Sequence, residues 1–246
     1  MPWTFSHPAV VFPIKQSKYG AFLSLPALIL GSLSPDLFYS VAWYDAASTA
    51  HEWLGWLYTG LPLCLLIFFI TQKTAFFLQY ALPFSIKNKF SYSFRHITVL
   101  LASFYIGAAT HIVWDSFTHE SGAMVRQLDF LQLGVFNMTD TQEIAIYKLL
   151  QHLGSLLGLL YLLFKYWQYH RNQLIIIQKQ NLLKLKALLV IAIISVVCAL
   201  PLAYGFATNF NRFVYLELTL MVPFFFGAVL LFALVKYKRR ERKDLG

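Results

Sequence analysis

The stretch from Ala187 to Tyr204 reads ALLVIAIISVVCALPLAY, and it decides the fold class of this chain. No charged residue occurs within it or anywhere else between Lys186 and Arg212. A transmembrane helix needs about 20 consecutive and mainly apolar residues to cross the hydrocarbon core of a bilayer. This stretch meets that requirement, so it predicts a membrane-spanning helix.

The same apolar composition extends over most of the chain. Of the 246 residues, 58% are hydrophobic and 13% are charged, and the mean hydropathy is +0.58. Because soluble domains have about 25% charged residues, a soluble globular protein is excluded. We predict an all-α fold, a multipass transmembrane helical bundle that forms a single domain over residues 1–246. The predicted spans are Trp53–Ile70, Ile97–Trp114, Ile144–Phe164, Ala187–Tyr204 and Phe213–Val235.

A sixth apolar segment, Ala21–Leu33, is shorter and contains Pro26. Its length of about 13 residues is too small for a complete crossing. It could instead form half of a re-entrant hairpin with Pro8–Phe12, provided that the non-helical backbone is buried in protein.

Basic residues orient the predicted spans. The positive-inside rule places segments rich in lysine and arginine in the cytoplasm. The alternation predicts five crossings, with a cytoplasmic C-terminus. We interpret the basic tail as a contact with anionic lipid and not with nucleic acid. The basic-rich segments are Lys73–Arg95 with four, Lys165–Lys186 with five and Lys236–Lys243 with six, whereas the alternate segments hold only Arg126, Lys148 and Arg212.

Candidate metal ligands are concentrated in GAATHIVWDSFTHESG, residues 107–122. His111, Asp115 and His119 are spaced four apart, so on a helix they lie along one face, each about 40° from the last. Imidazole and carboxylate at this spacing can hold one divalent ion, and a shared Asp115 could bridge two. The alternative is a polar helix end at the membrane interface. Cys64 and Cys198 lie in apolar runs, so we expect no disulfide or Cys-type zinc site.

Three further candidates precede this string. Asp36 ends the segment GSLSPD (residues 31–36), where it is either a ligand or only a complement to a helix dipole. His51 lies at the start of the predicted span Trp53–Ile70, and the charge alternation places it at the same non-cytoplasmic face as Asp36 and the string. His7 joins them only if the N-terminal hairpin re-enters from outside. His96 lies about 22 Å from His111 along a helix, so we predict that it is a bystander at the cytoplasmic end.

Residues near this face are candidates for proton transfer and substrate binding. Lys148 and His152 lie in the outer half of the span that begins near Ile144, and Glu120 follows His119. Ionisable groups inside a membrane segment are costly and usually face a polar cavity. We therefore expect His152 or Glu120 to shuttle protons and Lys148 to meet a substrate phosphate.

Several motifs in order resemble the DUF4184 family of bacterial multipass membrane proteins, which has no established activity. They are MPWTFSHPAVVFP (residues 1–13), GSLSPD, HEWLG (residues 51–55), the string at residues 107–122 and YKLLQHLGSLLGLL (residues 147–160). The resemblance covers about residues 1–160, while residues 161–246 match only in being hydrophobic.

The layout is also similar to a broader group of membrane-bound proteins thought to be metal-dependent hydrolases. That similarity implies a ligand set of His7, Asp36, His51, His111, Asp115 and His119. The chain departs from the pattern because no second Asp follows Asp36 and because His119 extends the string.

The leading functional hypothesis is a metal-dependent hydrolase, with zinc as the expected ion and a site at the non-cytoplasmic membrane face. The depth of the site suggests an amphiphilic substrate, such as a lipid or an envelope phosphoester. Two other classes remain open on the sequence alone. One is an ion-coupled transporter that uses the same groups as a relay, and the other is a non-catalytic scaffold with a structural metal.

Overall fold

The computed structural model describes residues 4–84, 93–139 and 142–244. It is mostly helical, and five of its helical stretches are long and apolar enough to span a membrane, which confirms the predicted fold class. Most of the loop between Phe84 and Phe94, with Lys87 and Lys89, lies outside the described residues. The five stretches are Gly60–Leu78, Phe94–Gln127, Ile146–Arg171, Ile175–Phe206 and Arg212–Arg242.

The elements follow one another with short connections. A 3-10 helix over Thr4–Val10 precedes α1 (Val11–Gln16), α2 (Leu25–Leu37), a second 3-10 helix (Phe38–Val41), α3 (Tyr44–Ala50), α4 (Gly55–Tyr58) and α5 (Gly60–Leu78). Then come α6 (Phe94–Thr118), α7 (Ala123–Gln127), a third 3-10 helix (Asp129–Gln132), β1 (Gly134–Thr139) and β2 (Gln142–Ala145). The chain ends with the long helices α8 (Ile146–Arg171), α9 (Ile175–Phe206) and α10 (Phe210–Asp244).

The first long helix begins later than the predicted start at Trp53. The short α4 ends at Tyr58, and α5 begins only at Gly60. The indole of Trp56 fills the space beside Gly60, where a Cβ would collide with the ring. Its Nε1 donates to Ser34 Oγ at 2.8 Å. This buried anchor of α4 on α2 separates α4 from the helix that follows.

A two-stranded hairpin interrupts the helical pattern, and the sequence analysis did not anticipate it. β1 pairs with β2 in antiparallel register, with Gly134 opposite Ala145. The strands are six and four residues long, which is too short for a sustained alternation of apolar and polar residues to reveal them.

The helices α2 and α6 approach each other closely. A Cβ added at Gly31 or at Gly107 would collide with the main chain of the other helix. Small residues permit such close packing of membrane helices. Near the beginning of α2, the Ser24 N–H also donates to Ser103 Oγ on α6 at 2.9 Å. These contacts fix α2 against the half of α6 that leads to His111.

The chain divides into two compact units. The first comprises Met1–Asp36, Asp45–Leu66 and Ser91–Gln168, and the second comprises Leu37–Tyr44, Ile67–Phe90 and Tyr169–Gly246. In the second unit, α9 and α10 follow each other after a short link, and Leu78, Ile191, Val229 and Ala233 form part of one buried apolar cluster. All six predicted metal ligands belong to the first unit.

Candidate metal centre

Four polar side chains from three segments of the chain converge in the first unit. Asp36 lies near the end of α2, His51 directly follows α3, and His111 and Asp115 lie on α6. One potential ligand atom from each residue lies within 4.8 Å of the others. Asp36, His111 and Asp115 are 4%, 0% and 8% exposed, so the group is largely shielded from its surroundings. A buried group of this composition could hold a metal ion.

The separations between these atoms are short and nearly uniform. His51 Nε2 lies 3.3 Å from Asp36 Oδ1 and 3.4 Å from Asp115 Oδ2. His111 Nε2 lies 3.6 Å from Asp36 Oδ1 and 3.2 Å from Asp115 Oδ2. The two Nε2 atoms are 3.3 Å apart. Ligand atoms at about 2.0 to 2.1 Å from a tetrahedral zinc ion lie about 3.3 to 3.4 Å from one another, so the residues fit such an ion.

Backbone carbonyls orient both imidazole rings. His111 Nδ1 lies 2.8 Å from the Ser32 carbonyl oxygen, and His51 Nδ1 lies 2.7 Å from the Ala47 carbonyl oxygen. A carbonyl oxygen only accepts hydrogen bonds, so each Nδ1 must carry a proton and donate it. The Nε2 atoms then face the carboxylates, which is how outer-shell groups hold histidine ligands in metal sites.

A hydroxyl group orients Asp36 in the same way. Thr4 Oγ1 donates to Asp36 Oδ2 at 2.6 Å, so Oδ1 is left facing the two imidazoles. Thr4 was not among the residues that the sequence analysis singled out. Nothing in the local pattern links it to a carboxylate 32 residues later, because the contact arises only when the N-terminal 3-10 helix packs beside the end of α2.

His7 and His119 lie on the other side of Asp115. The His7 ring stacks on the His111 ring with centroids 3.8 Å apart and an interplanar angle of 20°. Its Nε2 lies 3.8 Å from Asp115 Oδ1, and His119 Nδ1 lies 3.4 Å from the same oxygen. The structure thus brings all six predicted ligands together. Re-entry of the N-terminal hairpin from outside the membrane stays a prediction.

His119 was predicted to lie on the same helix as His111 and Asp115, but its backbone conformation is not helical. Helix α6 ends at Thr118, and His119 is its C-cap residue with φ −108° and ψ 143°. Its N–H still donates to the Asp115 carbonyl oxygen at 3.0 Å. The His119 side chain therefore reaches Asp115 from an extended residue and not from another helical turn.

His7 and His51, which lie outside the five stretches that could span a membrane, have shifted pKa values. Burial, together with the neighbouring His111, lowers the pKa of His7 to about 3, so its ring is neutral. Burial also lowers the pKa of His51, but hydrogen bonds to Asp115 and Asp36 outweigh this and raise it to about 9. In the metal-free protein His51 is therefore a cation between two carboxylates.

The three residues predicted to assist catalysis do not belong to the group of potential ligands found among the described residues. Glu120, Lys148 and His152 are exposed, and none makes a hydrogen bond or ion pair with the cluster within the part of the chain that the structure describes. Their predicted roles in proton transfer and substrate binding stay predictions. His96 is exposed at the opposite end of α6, where its Nδ1 lies 2.6 Å from Ser93 Oγ.

Comparison with known proteins places the chain in a family. A family model described as a domain of unknown function, DUF4184, matches residues 1–237. The match extends beyond residue 160 and includes all of α9 and most of α10. Comparison with curated proteins and with solved structures gives no significant match. This multipass membrane protein, with its buried His/Asp group, therefore belongs to the DUF4184 family.

Proposed function

We propose that this protein is a membrane-embedded, metal-dependent hydrolase whose zinc ion is held by Asp36, His51, His111 and Asp115. The observation that carries the proposal is the set of five separations of 3.2 to 3.6 Å among the four ligand atoms. Two neutral imidazoles and two carboxylates also balance the charge of a divalent ion. The similarity in layout to membrane-bound proteins thought to be hydrolases supports the same reaction class, as an analogy only.

The donor set favours a catalytic site over a purely structural one. Structural zinc sites are usually built from cysteine thiolates with or without histidine, whereas catalytic sites use histidine and carboxylate ligands. Neither cysteine belongs to the group of potential ligands found among the described residues. Cys64 is instead buried with its Sγ 3.9 Å from the Leu30 carbonyl oxygen, and Cys198 lies on α9.

The cluster is also open on one side. The side chains of His51 and His119 are 22% and 28% exposed, whereas that of His111 is fully buried. A bound zinc ion lowers the pKa of a coordinated water to about 7 and polarises the group to be cleaved. The buried ring and the two carboxylates fix the ion, and the exposed edge admits water and substrate. Because the chain has five helical stretches apolar enough to span a membrane, we propose an amphiphilic substrate such as a lipid or an envelope phosphoester.

One observation favours a second candidate, a scaffold with a structural ion. Four protein ligands complete a tetrahedral site, and a closed site has no position for water or substrate. The two candidates make the same prediction for metal binding by the four residues. They differ in whether metal-loaded protein hydrolyses anything.

The test uses the full chain purified in detergent, stripped with a chelator and reloaded with zinc. Expected results are at least one tightly bound zinc ion per chain and zinc-dependent cleavage of a nitrophenyl phosphodiester or of phospholipid in mixed micelles. Both should be lost in His111→Ala and retained in His96→Ala. Stoichiometric zinc without cleavage of phosphoester, carboxylic ester or amide probes would favour the scaffold. A folded protein that takes up no zinc would refute both candidates.

We further propose that the C-terminus is cytoplasmic in a bacterial cell membrane and that the cluster lies at the opposite face. The alternation of basic segments along the chain supports this orientation. Reporter fusions after Asn88, Asn137, Gln178 and Gly246 test it. A reporter that works only outside the cytoplasm should be active after Asn137 alone, and activity after Asn88 or Gly246 would contradict the orientation.

A further inference from the structure

We infer that a second divalent cation binds beside the first, held by His7, His119 and the Oδ1 oxygen of Asp115. This inference rests on the proposed function, because Asp115 Oδ2 belongs to the first site. It adds a second ion, divides the six predicted ligands into two sets and makes Asp115 a bridge between them.

The two oxygens of Asp115 face different partners. Oδ2 lies 3.2 Å from His111 Nε2 and 3.4 Å from His51 Nε2. Oδ1 lies 3.4 Å from His119 Nδ1 and 3.8 Å from His7 Nε2. Each oxygen thus has two imidazole nitrogens of its own, which is the arrangement of a carboxylate that bridges two ions.

The second set consists of buried polar atoms whose hydrogen-bonding capacity is unused. His7 Nε2, His119 Nδ1 and Asp115 Oδ1 are all buried, and none has a hydrogen-bond partner among the described residues. Burying such atoms without partners is costly, so native proteins rarely leave them in this state. His7 Nε2 and His119 Nδ1 lie 3.8 and 3.4 Å from the third atom, Asp115 Oδ1, and this indicates a ligand that the three atoms share. His7 itself is only 5% exposed, so bulk solvent does not supply the missing partner.

Although their rings lie side by side, His7 and His111 contact different oxygens of Asp115, Oδ1 and Oδ2 respectively. His7 and His111 are stacked and nearly parallel, so their Nε2 atoms point towards the same carboxylate from neighbouring positions. Both separations at Oδ1 are long for hydrogen bonds; that of 3.4 Å matches the ligand spacing on a tetrahedral zinc ion, and that of 3.8 Å is longer than this spacing. Because Gly158 on α8 has no side chain, Ser6 can lie close to this helix, and the N-terminal segment can then bring His7 to this position.

The chemistry of the second set indicates both the type of ion and its use. Two imidazole nitrogens and one carboxylate oxygen suit zinc or a similar transition metal ion. Three protein ligands leave a coordination position open, as in catalytic zinc sites. Paired ions stabilise the attacking and leaving oxygens in phosphoester cleavage, so the inferred substrate class is a phosphoester. Its hydrolysis joins a water oxygen to phosphorus, breaks the bond from phosphorus to the leaving alcohol oxygen and transfers a water proton to that alcohol.

Metal counting on the full chain in detergent tests the inference. Elemental analysis after zinc loading should give two ions per chain for the wild type and for His96→Ala, and one for His119→Ala and His7→Gln. His119 is the safer position for folding because its side chain is partly exposed, and His7→Gln keeps most of the buried volume. Loading with manganese adds a second readout, because two ions that share a carboxylate give an exchange-coupled spin resonance spectrum. The single-ion variants should give the spectrum of isolated manganese.

The outcomes separate this inference from the proposed function. One zinc ion in the wild type and still one in His119→Ala would refute the second site and leave the first intact. Two ions with uncoupled manganese spectra would refute the sharing of Asp115. No ion in the folded wild type would refute the proposed function itself.

Discussion

The two ends of α6 place the same residue type in opposite environments. Near the first turn, His96 is exposed and its Nδ1 meets the hydroxyl of Ser93, three residues earlier. Near the last turns, His111 is fully buried, its Nδ1 donates to Ser32 on another helix and its Nε2 faces Asp115. The helix alone supplies the partner in the first case, whereas a second helix is required in the second.

This difference shows that helix packing, more than the histidine itself, creates the site. The close approach of α2 at Gly31 and Gly107 places the Ser32 carbonyl within reach of His111. His96 precedes this contact by more than ten residues, or about 16 Å of helix. Spacing within one helix therefore predicts which residues share a face, but it does not predict which of them a neighbouring helix covers.

The largest effect is expected at Asp115, where four imidazole rings meet. Asp115→Ala removes the carboxylate that lies within 3.2 to 3.8 Å of nitrogen atoms of His7, His51, His111 and His119. Metal content per chain should fall at least tenfold, since both proposed ions lose a ligand and the main negative charge between them. The exposed Asp129 is the matched control, and Asp129→Ala should retain the wild-type metal content. Stoichiometric metal in folded Asp115→Ala would show that the buried end of α6 is not a metal centre.

The next effect comes from separating the two helices. A Cβ at position 107 would collide with the Leu28 carbonyl and the Ser32 amide, so Gly107→Ala must shift α2. We expect a loss of about 1–3 kcal/mol in the free energy of unfolding, as for other overpacked cores, and weaker zinc binding. Thermal melting in detergent and zinc titration measure the two losses.

Gly227 provides the matched control because a Cβ there meets nothing within 4 Å. Gly227→Ala should be neutral or slightly stabilising, since alanine is the better helix former. Equal melting temperatures for the two variants would mean that the glycine contact does not hold the site together.

A smaller effect is expected from the hydroxyl that orients Asp36. Thr4→Val keeps the shape of the side chain but removes the donor to Asp36 Oδ2. Loss of such an outer-shell partner typically weakens metal affinity by about 10- to 100-fold, so the zinc dissociation constant should rise by that factor. Thr74 is the matched control, because its hydroxyl donates to the backbone carbonyl of Ile70 and not to a proposed ligand. Thr74→Val should leave the zinc affinity unchanged. An unchanged affinity in Thr4→Val would remove Thr4 from the site.

The smallest effect is expected at the exposed end of α6. His96→Ala removes only a local contact with Ser93, so metal content and hydrolysis should stay at wild-type values. His111→Ala, on the same helix, should lose both. If His96→Ala lost the metal and His111→Ala kept it, the assignment of the two ends would be reversed and the proposed site would be wrong.

The sequence predicted which of these residues come together better than it predicted how they contact one another. The four-residue spacing places His111 and Asp115 on one side of α6, whereas His119 follows the helix, and the sequence also singled out Asp36 and His51, which the structure brings into the same group. The separate contacts of the two Asp115 oxygens could not be predicted, because they depend on side-chain torsions and on the packing of the N-terminal segment.

The departures from the predicted fold have local causes. The first long helix starts late because Trp56 is anchored on α2 through Ser34, a contact between residues 22 positions apart. Helix α6 ends at Thr118, and His119 has an extended conformation before the turn at Gly122, so the helix does not continue to the third residue of the predicted set. Neither feature changes hydropathy, so a search for apolar spans does not detect it.

Both orienting contacts of the imidazole rings use main-chain oxygens, those of Ser32 and Ala47. Every amino acid has this oxygen, so the identity of the side chain at either position is irrelevant to the hydrogen bond. A saturation scan should therefore tolerate small replacements at positions 32 and 47 and reject bulky ones, since Ser32 and Ala47 are fully buried. The orientation of the two imidazole rings thus depends on the position of the backbone and not on side-chain identity. A comparison of residue identities among relatives would not reveal this dependence.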